Sequence, residues 1–89
     1  MNFRWNDWNC EHVQKHGITL DEAQGIVLAM RPPYPERIGD DKLLVVGAGR
    51  GGRLIQVVFV LDPGDTVFVI HARPLTDVEK KRFRRRHRR

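Results

Sequence analysis

Disulfide chemistry is the first thing this chain excludes. Its 89 residues include one cysteine, Cys10, so no internal bridge can form. That scarcity fits a reducing, cytoplasmic setting. Long apolar runs are missing too, and none approaches the roughly 20 residues of a membrane span. The first residues are polar and aromatic rather than cationic then apolar, so no secretory signal is expected. No internal repeat is present. What is left is a single domain over residues 1–89 with one small core.

Charge is present but unevenly placed. The formal net charge is +5. Residues 79–89 carry eight Lys/Arg and one Glu, whereas residues 1–78 carry eight Lys/Arg and ten Asp/Glu. The basicity is therefore local to the C-terminal end. Such a block reads as an electrostatic footprint for nucleic acid or an acidic partner surface. Its simpler reading is a solvated tail.

Along the chain, Phe3-Arg4-Trp5 is a candidate short first strand. Asp7 to His16 reads as a helix stopped by Gly17, with Lys15 and His16 in its last turn, where cations favour the helix dipole. Thr19-Leu20-Asp21-Glu22 has the capping-box pattern that starts a second helix. Leu20, Ala23, Val27 and Met30 recur at helical spacing and should face the core. Arg31-Pro32-Pro33-Tyr34-Pro35 ends that helix.

The period then changes. Asp41 to Val46, Arg53 to Leu61 and Thr66 to Arg73 read as three strands. The turns between them are Gly47 to Gly52 and Asp62-Pro63-Gly64-Asp65. The middle strand is apolar on both faces, as a central covered strand should be. Pro74 stops the third strand, and Thr76-Asp77-Val78-Glu79 is a second capping box opening a basic terminal helix. The expected class is α+β: an antiparallel sheet, two N-terminal helices, a short basic C-terminal helix, and helices gathered on one face.

The most informative stretch is the end of the third strand, His71-Ala72-Arg73. Strict alternation puts both side chains on the face of Val67 and Val69. A proton-transfer group then sits beside a permanent cation at a sheet edge, which suits a phosphate-bearing partner.

Several strings, in order, match a known family. They are Trp5 and Asp7, then Lys15-His16-Gly17-Ile18-Thr19-Leu20-Asp21-Glu22-Ala23, then Gly47 and Gly52-Arg53-Leu54, then Val57-Val58-Phe59, and last Ile70-His71-Ala72-Arg73 and Glu79. The chain resembles the BrnT-type toxins of bacterial toxin–antitoxin systems, small ribonucleases with a RelE-like fold. The family usually has Ser where this chain has His71, its usual linker is acidic where Arg31 to Asp40 is rich in proline, and its tail is less basic. The resemblance implies a cognate ribbon-helix-helix antitoxin that masks the toxin in a hetero-oligomer. DNA would be met only through that antitoxin.

RNA cleavage without a metal or other cofactor needs few parts. The ribose 2′-hydroxyl must lose its proton and attack phosphorus, a cation must meet the developing charge, and the leaving 5′-oxygen must gain a proton. Arg73 is the candidate for charge stabilisation, since its planar fork binds phosphate at two points. His71 and His16 are the candidate proton-transfer groups. Their simpler readings are an edge histidine and a helix-end cap. Lys15, Arg84 and Arg85 are candidate phosphate contacts. Arg37 and Arg53 join them only if the fold brings them to the His71/Arg73 face, and Arg53 is placed opposite Ile55, Val57 and Phe59. His12 and His16 share a helix face but lack the Glu and the third ligand of a zinc helix. The glycine turn around Arg50 lacks the ending of a phosphate loop and reads as a hairpin turn. Trp5 and Trp8 read as core covers. Phe83 reads as a stacking or docking ring or, with Val78, as a pin for the terminal helix. A non-catalytic nucleic-acid-binding module is the alternative to an enzyme.

Overall fold

Three capping boxes set where the helices begin. The computed structural model describes residues 1–87. The first helix, α1 (Asp7–Gln14), opens on a box that sequence reading missed. Asn6 Oδ1 accepts from the Asn9 amide at 3.0 Å, and Asn9 Oδ1 accepts from the Asn6 amide at 2.7 Å. Asn9 is fully buried, yet its side-chain amide also donates to the Arg4 carbonyl, so burial leaves no polar atom unpaired. The helix stops two residues short of the expected His16, and Gly17 (φ 75°) takes the left-handed turn that follows.

The second helix, α2 (Leu20–Leu28), starts at the Thr19/Glu22 box, and the third, α3 (Asp77–Arg86), at the Thr76/Glu79 box, both as predicted. Ala23, Ile26 and Val27 of α2 are buried, and Leu20 and Met30 pack against the core's edge.

Five strands form one mixed sheet in the order β1-β5-β4-β3-β2. They are β1 (Asn2–Phe3), β2 (Glu36–Arg37), β3 (Leu43–Ala48), β4 (Leu54–Asp62) and β5 (Thr66–Pro74). The three predicted strands form the antiparallel centre. The two added strands are only two residues each, too short for periodicity to register, and β1 runs parallel to β5. The expectation of a purely antiparallel sheet is corrected on that edge.

Val45, Ile55, Val57, Phe59, Val67, Val69 and Ala72 bury one sheet face against Val13, Ile18, Ala23, Ile26 and Val27. Helices do not all lie on that face. Leu44, Val46 and Gln56 alternate with the buried set, and they line a cleft of about 170 Å³ with Leu75, Glu79 and Phe83. The basic helix α3 therefore stands over the opposite face.

The alternation of β5 breaks once. Val67 and Val69 are fully buried, and so is Ala72, an odd step later. Phe59 pairs with Val69 while Val58 pairs with His71, so Ile70 is an extra residue in the ladder. This β-bulge shifts the faces by one. His71 and Arg73 consequently point away from the Val67/Val69 face, contrary to strict alternation.

Candidate functional site

His71 lies beside the turn that follows α1. The His16 and His71 rings meet edge to face, with centroids 5.5 Å apart and planes at 78°. His71 is half-buried and His16 exposed. Burial pushes the His71 pKa below the ordinary histidine value, and the nearby charges of His16, Arg73, His12 and Lys15 lower it further. Both effects favour the neutral imidazole of His71 over the charged one. The structure brings two predicted site residues, His16 and His71, into contact, and Lys15 and Arg73 lie near enough for their charges to act on His71.

Arg73 is engaged. Its Nη1 and Nη2 each donate to a Glu79 carboxylate oxygen at 2.7 Å, and Nη1 also donates to the Pro74 carbonyl at 3.1 Å. The guanidinium and the Thr76 amide hold the Glu79 carboxyl at about 2, far below its usual range. The Glu79 cap thereby ties α3 to the end of β5. Its position in the capping box was readable in sequence; its second role as the arginine's partner was not.

Arg53 is corrected. A two-residue period aligns it with Ile55, Val57 and Phe59, and it turns toward α2 rather than away from it. Its Nη2 donates to the Gly17 carbonyl at 2.8 Å and to Glu22 Oε1 at 3.3 Å. Glu22 also accepts from the Thr19 and Arg50 amides, at 3.1 and 2.7 Å. Those two amides, then Arg53, hold its carboxyl at about 2 against the cost of burial. The glycine turn does bind an anion, but the anion is the protein's own Glu22. A Cβ at Gly49 would force the Glu22 carboxylate and the Ile55 side chain to shift.

Arg37 is not brought to the site. It lies in β2, at the sheet edge opposite β1 and separated from β5 by two strands, and donates to the Asp40 carbonyl at 2.7 Å. Arg84 and Arg85 are exposed on α3. Arg86 pairs with Glu36 at 3.0 Å. Phe83 is half-buried over the cleft, whereas Val78 is 62% exposed and pins nothing. Trp5 packs against the core and donates to Gln24 at 2.6 Å, as a core cover should. Trp8 does not: it is 50% exposed. Its spacing of four and eight residues from His12 and His16 was the available signal.

Among the described residues, no group of three or more His, Cys, Asp or Glu could hold a metal ion, and no helix is long and apolar enough to cross a membrane. No protein-family model, curated protein or solved structure matches the chain.

Proposed function

We propose that this chain is a metal-independent endoribonuclease of the BrnT-like, RelE-like kind, a toxin that inhibits translation and is masked by a cognate antitoxin. The observation that carries the reading is the contact between half-buried His71 and exposed His16, beside Lys15 and Arg73. Neutral His71 takes the 2′-hydroxyl proton as that oxygen attacks phosphorus. His16 is the group placed to return a proton to the departing 5′-oxygen. The products are a 2′,3′-cyclic phosphate and a free 5′-hydroxyl, and no water or metal enters the step. Proton transfers of this kind contribute about 10²–10⁴-fold each. Cations beside the phosphoryl oxygens add charge stabilisation.

The second reading is a nucleic-acid-binding module without catalysis. The Arg73–Glu79 pair favours it, because the best-placed phosphate fork is already occupied. The deciding experiment incubates the purified protein with naked RNA in the presence of a chelator. Cyclic-phosphate ends that disappear with both His71→Ala and His16→Ala support the enzyme, with the acidic limb of kcat/KM falling below the ordinary histidine pKa. Binding without cleavage, unchanged by either substitution, leaves the module.

A further inference from the structure

The outward side of α1 carries a row of rings that the acid–base pair does not use. Trp8 and His12 are spaced four apart on one face of α1, and His16 of the acid–base pair follows in the turn beyond its end. The His12 ring stacks on Trp8 with centroids 4.0 Å apart. Trp8 in turn lies nearly parallel to Phe68 of β5, at 6.1 Å and 13°. The Arg4 guanidinium sits 4.1 Å over the Phe68 ring. The row ends where His16 meets His71.

Core packing does not account for Trp8. It is half exposed and belongs neither to the buried core nor to the residues packed against it. The indole is held in place by ring contacts on α1 and β5 and yet remains open to solvent. Flat, pre-ordered rings with a cation at one end and Lys15 near the other match the needs of unpaired bases and their phosphates. Paired bases hide their faces within a duplex, so a stacking row selects single strands.

We propose that Trp8 and His12, backed by Phe68 and Arg4, form a base-stacking track for single-stranded RNA, leading the strand to His16 and His71. The inference deepens the proposed function and rests on it for what the track feeds.

The test uses a short 2′-O-methyl RNA, which lacks the attacking hydroxyl and cannot be cleaved. Trp8→Ala should bind it about 5- to 100-fold more weakly, the range expected for losing one stacked base. Trp8→Phe should recover most of that loss, and a duplex of the same sequence should bind both proteins equally. In a Trp5→Phe protein, Trp8 is the sole tryptophan, and its emission should be quenched as the single strand saturates. This second readout does not depend on the stability of Trp8→Ala. Equal single-strand affinity for a folded Trp8→Ala protein, or unchanged Trp8 emission at saturation, overturns the track. Weakened binding by Trp8→Ala together with no cleavage of ordinary RNA by the wild type keeps the track and removes the ribonuclease. Cleavage with Trp8-independent binding does the reverse.

Discussion

Replacing Glu79 by Gln asks whether Arg73 is a phosphate ligand or only a tie between β5 and α3. Glu79 accepts from Arg73 twice at 2.7 Å and from the Thr76 amide at 2.8 Å. Gln keeps the shape and one accepting oxygen but loses the charge. Both partners are less than a third exposed. The pair therefore falls between a surface ion pair, at about 0.2–1 kcal/mol, and a charged hydrogen bond, at about 1.5–3 kcal/mol. A loss of about 1–2 kcal/mol is expected, which lowers the melting temperature by about 5–15 °C in a domain this size. The affinity for uncleavable single-stranded RNA should move the other way. A freed Arg73 adds one phosphate contact, so the slope of log affinity against log salt should steepen by about 0.7. Titrations at several salt concentrations, beside thermal melts, measure both. Arg73→Ala in the same background should remove the added slope. A lower melting temperature with unchanged affinity and slope would refute the phosphate role and leave Arg73 as a structural tie.

Two further changes probe the scaffold. Glu22→Gln should cost up to about 3 kcal/mol near neutral pH, because its carboxyl is held at about 2 instead of 4.5 and each unit corresponds to about 1.4 kcal/mol. A depressed carboxylate stabilises above its unfolded pKa, so this difference should be complete above about pH 4.5 and vanish as pH falls toward 2; a gap between wild type and variant that urea unfolding finds constant with pH would count against it. Deleting Ile70 should preserve the β4–β5 pairing and leave His71 facing away from Val69, removing only the bend of the bulge; stability should change by no more than about 2 kcal/mol, and if that bend aims His71 at His16, cleavage is lost and the His71 pKa, followed by NMR, rises toward 6.5. Retained activity with a still-depressed His71 would show that the bulge does not position the site.

Local signals were legible where they were self-contained. Thr19/Glu22 and Thr76/Glu79 announce helix starts because both partners lie within one turn. The β3, β4 and β5 segments announce themselves by apolar content and by the turns between them. The face of His71 was not legible, because nothing in Val69-Ile70-His71 distinguishes a regular strand from one with an extra residue. Only the pairing with Phe59 and Val58 decides it. The position of α3 was hidden for a related reason. Its seat depends on Arg73 meeting Glu79 across six residues and Arg86 meeting Glu36 across fifty. The Asn6/Asn9 box was missed because Asn at the third helical position is a weaker signal than Glu.

The two deepest-held carboxylates follow one design. Glu22 and Glu79 are each the third residue of a helix, each closes its own capping box, and each then takes an arginine from the same end of the β4–β5 hairpin. Arg53 is held on the α2 side and Arg73 on the α3 side. The hairpin end that carries His71 therefore holds two compensated cations rather than two bare ones. This moderates the field on His71, whose depressed pKa owes more to burial than to any neighbouring charge. Under the proposed function, capture of RNA would have to come from elsewhere, and α3 presents the exposed cations Arg84 and Arg85. The proposed ribonuclease would thus divide long-range attraction and proton transfer between different elements. A substrate phosphate that reached Arg73 would have to displace Glu79, and with it one of the ion pairs that seat α3 over the sheet.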